Sequence, residues 1–510
     1  MKYFCLLILT GLFLVPVSVS AATTKFEVTG WIPYWRAEKG VADVMPHLDD
    51  ITEINPFVYT LKKDGTIVDN GKIDQEPWLT LFAAARAKKV RIIPTIMSGD
   101  GATLHALLSN SSSRIALEDS LAALVKNNGF DGIDIDFEAK KAETRPYFST
   151  FLKGLYQRMG KKWVMCTIES RTPIDSRYYG TDIPADATIY ANDFKMINKY
   201  CDRVRIMAYD QQGIDQQLAH QAETSSEVYA PIADPRWVRK TIEVASKDIN
   251  KNKLLIGVPT YGYEYDVMAY AGSQYVYNLL WSFNPGYVKE IATKYGLTAQ
   301  RNSAGEMFMT YTPIPNASTT EQVIPVPNSA MVAAAAAAMY ANTVNGHQSF
   351  RLIDWPDAQS IAGKVELAQT LGVRGVSIFK FDGGEDPGIW SVIEGMTQSD
   401  MMPEPGYVAP RIAPDSISLS LKPLTRALGI GASGTDVRTL QVVLNSNKDT
   451  AVATSGTGSK GHESTTFGPA TEKAVQKFQI KYGIAKVSGS GYGFVGPATR
   501  AKLNTLLANL

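Results

Sequence analysis

Three carboxylates at alternate positions are the feature of this sequence best suited to chemistry. Asp134, Asp136 and Glu138 are separated by single bulky apolar residues. A strand sends alternate side chains to opposite faces, so a strand here places the acids in one file, about 7 Å apart. Like charges this close raise one another's pKa, and a general acid has to stay protonated near neutral pH. A solvated edge strand is the alternative, but the flanking Gly129-Phe130 and the apolar file favour a buried one.

Eight apolar runs of strand length alternate with helical segments between Phe26 and Trp390. They cover residues 27–32, 54–59, 90–97, 132–138, 163–168, 204–209, 254–259 and 375–381. Such an alternation predicts an α/β fold, a (β/α)8 TIM barrel. The long gap between the seventh and eighth strands predicts an α+β insertion. The acidic file then enters at the C-terminal end of strand four, where barrels place their active sites.

Residues 131–138, which read DGIDIDFE, resemble the D-G-x-D-x-D-x-E signature of glycoside hydrolase family 18, the chitinase-type enzymes. The resemblance implies a reaction in which the substrate's own 2-acetamido oxygen is the nucleophile. Glu138 is then the general acid and later the base, and Asp136 stabilises the cyclic intermediate. Asp134 is expected to share a proton with Asp136. Tyr209, within a segment that resembles the family's M-x-Y-D, is expected to bind the acetamido carbonyl. The resemblance implies no cofactor.

The same resemblance implies that Met207, Asp210 and Tyr261, at other strand ends, bind the substrate. Tyr34, Trp35 and Tyr59 are further candidates, because they lie at the predicted barrel mouth and aromatic faces suit stacking on sugar rings. Packing in the core or in a loop is the alternative for each aromatic residue. The family usually ends strand eight with a tryptophan under the acetamido methyl, whereas this sequence has Phe379 there.

Changes in composition divide the chain into segments. We predict a signal peptide at residues 1–22, a barrel at 23–397 with its insertion at about 262–350, a Pro/Ser linker at 398–422 and a tail at 423–510. The tail repeats one motif, since residues 467–471 (FGPAT) are echoed by 495–499 (VGPAT). Its G-x-x-V-x-x-L-Q-x-x-L and F-G-x-x-T-x-x-A-V-x-x-F-Q patterns resemble the small all-α, three-helix peptidoglycan-binding domain of bacterial wall enzymes.

Charge is distributed unevenly, although the whole chain carries only +1. Residues 421–510 hold eight Lys and three Arg against two Asp and two Glu, so 11 − 4 = +7. The balance argues against a nucleic-acid partner and predicts that the tail meets an anionic surface. The five histidines show no ligand spacing, so no metal site is expected. For Cys166 and Cys201 we expect two free, buried thiols, with a disulfide as the alternative.

Together these features predict a secreted hydrolase, extracellular or associated with the cell envelope, with no membrane association after removal of the signal. The expected substrate is a polysaccharide containing N-acetylglucosamine, most simply peptidoglycan because of the wall-binding tail. A chitinase is the first alternative. The second is a sugar-binding protein without catalysis, against which the complete acidic file argues.

Overall fold

A computed structural model describes the fold over most of the chain. It covers residues 23–224, 227–272, 274–313, 331–397, 401–403, 423–430, 432, 435–454, 458–460, 463–464, 467–487 and 491–507. The predicted signal peptide and most of the predicted linker lie outside these residues. Among the described residues, none of the helices has the length and apolar character needed to cross a membrane.

The larger unit is a closed barrel of eight parallel strands, which confirms the predicted fold class. The strands are β1 (Glu27–Pro33), β2 (Glu53–Leu61), β3 (Arg91–Ile92 with Thr95–Ser98), β4 (Gly132–Phe137), β5 (Trp163–Glu169), β6 (Arg203–Met207), β7 (Leu254–Pro259) and β8 (Gly375–Phe379). Each strand pairs with its neighbours in this order, and β1 closes the barrel by pairing with both β8 and β2. A short strand at Ile67–Asp69 extends β2 as a hairpin.

Helices cover the outside of the barrel and bury one face of each strand. Their bounds are Ala37–Val44, Trp78–Ala87, Gly101–Ser109, Ser111–Asn127, Arg145–Met159, Ile174–Arg177, Phe194–Tyr200, Gln216–Thr224, Pro235–Ala245, Ala358–Leu371 and Ile389–Thr397. Short 3-10 helices occur at Tyr34–Arg36, Met45–His47, Ala142–Thr144 and Lys251–Lys253. Strands β4 and β7 are buried at every residue, as expected for a sheet that is covered on both faces.

A five-stranded antiparallel sheet is inserted between β7 and β8. In spatial order its strands are Gln274–Phe283, Gly262–Tyr270, His347–Trp355, Met307–Tyr311 and Gln300–Arg301, and its helices are Gly286–Tyr295 and Val332–Val344. The insertion is anchored to the barrel through Glu306. This buried carboxylate accepts hydrogen bonds from the backbone N–H groups of Ile232 and Ala233 at 2.8 and 2.9 Å. It also pairs with Lys364, whose side chain is fully buried.

Cys166 and Cys201 form a disulfide, so the prediction of two free thiols is wrong. Their Cα atoms lie 6.0 Å apart. Cys166 is the central residue of β5 rather than a residue near its end, and Cys201 directly follows the helix Phe194–Tyr200. The backbone N–H of Asp202 donates to the Val164 carbonyl, which draws the chain entering β6 alongside β5. The two cysteines are therefore neighbours and not at opposite strand ends.

The described residues of the tail form three helices, Thr435–Asn445, Pro469–Lys481 and Pro497–Leu507, as predicted for an all-α domain. The repeated sequence motif corresponds to a repeated contact. Gln441 on the first helix donates to the Thr471 hydroxyl at 3.0 Å, and Gln479 on the second donates to the Thr499 hydroxyl at 3.0 Å. Both threonines belong to the G-P-A-T motif, so each buried glutamine fixes the start of the next helix.

Ion pairs rather than apolar side chains occupy the N-terminal end of the barrel. Glu27 of β1 accepts from Arg203 at both carboxylate oxygens, each at 2.9 Å, and also pairs with Arg91 and Arg374. Burial alone raises the pKa of Glu27, but the three guanidinium groups outweigh it and hold this pKa at about 2, below the ordinary 4.5. The ionised pairs therefore stabilise the folded barrel at neutral pH, and this contribution is lost as pH falls from about 4.5 to about 2.

We predict that Glu27→Gln lowers the free energy of unfolding by about 3 kcal/mol at pH 7, because it removes the charged partner of three partly buried guanidinium groups. The difference in free energy of unfolding between variant and wild type should be smaller at pH 3. At that pH the Glu27 carboxylate of the wild type contributes less to stability. Urea unfolding followed by tryptophan fluorescence at both pH values measures it. Glu366→Gln, at an exposed position on the helix Ala358–Leu371, is the control and should change little. An equal loss of free energy of unfolding at both pH values contradicts the prediction.

Candidate active site

The three acids of β4 occupy three different environments. Asp134 is fully buried in the barrel interior, Asp136 is 4% exposed, and Glu138 follows the strand end and is half-buried. The backbone N–H of Glu138 donates to the carbonyl of Ser98 at the end of β3, at 2.8 Å. The alternate positions in the sequence therefore form a file that runs from the barrel interior to its mouth.

A glycine loop after β3 supports the position of Glu138. Asp100 caps the helix Gly101–Ser109 by accepting from the N–H groups of Ala102 and Thr103. A Cβ atom on Gly101 would lie 2.0 Å from the carbonyl oxygen of Ala139, so only glycine allows this close packing. Backbone packing next to Glu138 therefore explains the glycine in this loop.

Asp136 and Glu138 have the electrostatics of groups that hold protons. Burial, followed by the charges of Glu138 and Asp134, raises the pKa of Asp136 well above its ordinary value. Burial, followed by the charges of Glu169 and Asp210, raises the pKa of Glu138, and nearby Lys140 opposes the shift. A protonated carboxyl at the mouth of a cleft can act as a general acid.

Glu169, at the end of β5, is a site residue that the sequence motif did not predict. Its carboxylate accepts from the Ala139 N–H at 3.1 Å and from the Asn192 amide at 2.7 Å. The buried Lys140 ammonium lies 3.7 Å from its second oxygen. Glu169 is 31 residues from Glu138 in sequence, and only the pairing of β4 with β5 brings the two together.

Asp210 and two tyrosines join the barrel to the insertion. Asp210 follows β6 with a positive φ of 60°, unusual for a residue other than glycine. Its Oδ1 accepts from the hydroxyl of Tyr261 and from that of Tyr263, the latter at 2.6 Å. Tyr209, the preceding residue, is buried, and burial with the Asp136 and Asp210 charges raises its pKa. Met207 ends β6 and is partly buried.

Phe379 lies at the centre of an aromatic cluster. Its ring stacks on Tyr209 at 5.8 Å between centroids, and the rings of Trp31 and Tyr261 meet it edge to face at 5.6 and 5.9 Å. The position expected for the family's tryptophan is therefore occupied by a smaller ring that is in contact with three other aromatic rings.

The remaining predicted aromatic residues differ in exposure. Tyr34 and Trp35 are 39% and 52% exposed after β1, so their rings are available to a ligand. Tyr59 is 4% exposed and packs in the barrel core. Phe57 of β2, which the sequence did not single out, contacts both Trp35 at 5.8 Å and Phe379 at 6.2 Å. Phe57 connects the exposed rings with the buried cluster.

Comparisons with known proteins agree with this geometry. The family model for glycosyl hydrolases family 18 matches residues 28–384, and that for a peptidoglycan binding domain matches residues 433–503. An uncharacterized glycosylase of Bacillus subtilis (strain 168), YvbX, is 28% identical over 213 residues, which are 41% of this chain and 56% of that protein. The matched segment therefore spans little more than half of that relative.

Two solved structures share the fold. The spore cortex-lytic enzyme SleL of Bacillus megaterium QM B1551 has a TM-score of 0.53 and 18% identity, with 76% of each chain covered. A chitinase from Chromobacterium violaceum ATCC 12472 has a TM-score of 0.52 and 16% identity, with 74% of this chain and all of that chain covered. At these identities the likeness concerns the fold alone.

We predict that Glu169→Gln lowers the pKa of Glu138, because it removes the carboxylate charge that raises it. The alkaline limb of the pH–rate profile on a glycoside, where Glu138 loses its proton, should then move to lower pH. Glu143→Gln, at an exposed position on the neighbouring 3-10 helix, is the control and should leave the limb in place. An unchanged limb in Glu169→Gln removes Glu169 from this role.

Proposed function

The chain belongs to glycosyl hydrolase family 18 and is a glycosidase, and we propose that it cleaves β-1,4 bonds beside N-acetylglucosamine in peptidoglycan. The observation that carries the proposal is the pair formed by Glu138 at the barrel mouth and the buried Asp136 behind it, both with raised pKa values. Glu138 can reach a substrate from the barrel mouth, and Asp136 can stabilise the intermediate that forms once Glu138 has given up its proton.

In the proposed first step, Glu138 gives its proton to the glycosidic oxygen as the bond from that oxygen to the anomeric carbon breaks. The acetamido oxygen of the same sugar attacks the anomeric carbon and closes a five-membered ring. Asp136 accepts a hydrogen bond from the acetamido N–H and stabilises the positive charge on this ring. The Tyr209 hydroxyl binds the acetamido oxygen and holds it in line for attack.

In the proposed second step, water opens the ring. The Glu138 carboxylate now takes a proton from the water as its oxygen attacks the anomeric carbon. Two inversions at the same carbon return the original configuration, so the reaction retains its stereochemistry. Phe379 and its aromatic neighbours provide an apolar floor for the acetamido methyl group.

The tail supports peptidoglycan over chitin as the substrate. Its sequence matches a peptidoglycan binding domain, and residues 421–510 carry +7, which suits a polymer rich in carboxylates. The fold shared with a spore cortex-lytic enzyme is consistent with action on bacterial wall. Chitin hydrolysis is the second candidate, favoured by the fold shared with a chitinase.

We further propose that the protein is secreted. The apolar run near the N-terminus, with Lys2 before it and small residues after it, has the pattern of a signal peptide. The Cys166–Cys201 disulfide supports export, because such bonds persist in oxidising compartments. N-terminal sequencing of protein recovered from culture medium tests the proposal, and a chain still starting at Met1 contradicts it.

We predict that Glu138→Gln lowers kcat on N-acetylglucosamine oligosaccharides by a factor of ~10² or more, because the amide has nearly the same shape but cannot supply the proton. Product masses from peptidoglycan and from chitin oligomers identify the substrate. The control for the nucleophile is a substrate whose acetyl groups have been removed, which the wild type should not cleave. Near-normal turnover by the variant, or efficient cleavage of the deacetylated substrate, contradicts the mechanism.

We predict that removal of residues 421–510 reduces hydrolysis of insoluble wall while sparing short soluble oligosaccharides. The tail holds the enzyme at high effective concentration over the wall, and soluble substrates do not need this. Wall binding by the full chain, measured by sedimentation, should weaken as salt rises because exposed charges are screened. If the truncated enzyme sediments with wall as well as the full chain does, the tail is not the anchor and the preference for peptidoglycan loses its main support.

A further inference from the structure

A histidine and two carboxylates from distant parts of the chain meet at the surface of the barrel. His47 is in the 3-10 helix Met45–His47, Asp50 follows it by three residues, and Glu394 lies on the helix Ile389–Thr397. One ligand atom of each residue, an imidazole nitrogen or a carboxylate oxygen, lies within 4.8 Å of the other two. Ligand spacing in the sequence does not reveal this cluster, because Glu394 is 394 − 47 = 347 residues from His47.

The distances between these atoms suit a metal ion better than hydrogen bonds. The His47 Nδ1 lies 3.6 Å from the Asp50 Oδ2 and 3.6 Å from the Glu394 Oε1. A hydrogen bond from a nitrogen to an oxygen is shorter, about 2.7–3.2 Å. Zinc binds nitrogen and oxygen at about 2.0–2.2 Å, so two ligand atoms of its tetrahedron lie about 3.4 Å apart. One ion can therefore contact all three groups after small rotations of their side chains.

Trp390 fixes the plane of the His47 ring. The two rings are stacked, with centroids 4.1 Å apart and planes inclined by 6°. The Trp390 indole N–H lies 3.3 Å from both carboxylate oxygens of Asp43, on the helix Ala37–Val44, so the tryptophan is itself held in place. Trp390 and Glu394 are one helical turn apart, so one helix both orients the imidazole and supplies a carboxylate. A ligand whose orientation is fixed by its neighbours is typical of metal sites.

The charges and donor types of the cluster select the class of ion. Asp50 and Glu394 bring two carboxylates together, and a divalent cation would balance them. The three side chains are partly exposed, so an ion can enter from solvent. An imidazole nitrogen favours zinc-like ions over Ca²⁺ and Mg²⁺, which prefer oxygen ligands.

We propose that His47, Asp50 and Glu394 bind one zinc ion, with water completing its coordination. The ion connects the loop that enters β2 with the helix that follows β8, and so joins early and late parts of the barrel. This loop enters β2 at its N-terminal end, whereas the acids of β4 lead to the C-terminal ends of the strands. The ion therefore stabilises the fold and takes no part in hydrolysis, and the inference does not rest on the proposed function.

The test is a titration of the full chain with ZnCl2 after treatment with a chelator. Calorimetry should show one zinc ion per chain. Because the ion binds the folded state, Tm should rise by about 3 °C when free zinc exceeds Kd about a hundredfold. His47→Phe keeps a ring that can stack on Trp390 but has no ligand atom. It should weaken zinc binding by a factor of about 10 or more, because even the loss of an outer partner costs this much.

Asp50→Ala and Glu394→Ala, at partly exposed positions, should weaken zinc binding in the same way. The matched control is His220→Gln. The His220 Nδ1 lies 3.8 Å from a carboxylate oxygen of Glu223, and both side chains are exposed, so this pair offers one histidine with one carboxylate. The control should bind zinc as the wild type does.

A wild type that binds no zinc overturns the proposal, and so does wild-type affinity in folded His47→Phe, the result expected if the active-site carboxylates hold the ion. If His47→Phe does not fold, Asp50→Ala and Glu394→Ala decide, and wild-type affinity in both overturns the proposal. An equal loss in His220→Gln indicates dispersed binding by surface histidines and also overturns it. None of these measurements needs a substrate. A wild type that cleaves no glycoside therefore refutes the proposed function and leaves this test unaffected.

Discussion

The ion pair between Asp134 and Arg205 of β6, whose side chains are both fully buried and lie 2.8 Å apart, is the interaction on which the rest of the site depends. A barrel interior that contains Asp134, Asp136 and Glu53 without a cation would hold like charges close together, at a high cost in free energy. The Arg205 guanidinium contacts both Asp134 and Glu53 and offsets part of this cost. The acidic file on β4 is therefore balanced by a residue on β6, at a position that the acidic motif does not include.

Neighbouring charges also determine the pKa values of the two acids nearer the barrel mouth. Burial and the charges of Glu138 and Asp134 raise the pKa of Asp136, and burial and the charges of Glu169 and Asp210 raise the pKa of Glu138. Glu169 and Asp210 are themselves held by backbone or side-chain donors, so their positions are fixed before a substrate arrives. Preorganised charge of this kind accounts for much of catalysis by proton transfer.

The sequence was sufficient to predict features that depend on residues close together in the chain. The period-two file of acids on β4 and the apolar runs of the other strands predicted the barrel and the position of the acids at its mouth. Contacts between strands were not accessible in this way. Arg205, Glu169 and the Cys166–Cys201 disulfide all depend on which residues of neighbouring strands lie side by side.

A shift in register explains why Phe57 and not Tyr59 joins the aromatic cluster. The pairing of β2 with β3 is irregular between these two residues, so a strict alternation of faces fails there.

The insertion contributes to the chemistry as well as to the shape of the cleft. Tyr263 on its first strand donates to Asp210, and the charge of Asp210 in turn raises the pKa of Glu138. Glu306 fixes the insertion to the barrel through two backbone N–H groups and Lys364, so the position of Tyr263 is coupled to the barrel wall. The pKa of Glu138 therefore depends on two acidic neighbours, Glu169 on β5 and Asp210 beside the insertion. A change at either neighbour alters the proton affinity of Glu138 without touching the residue itself.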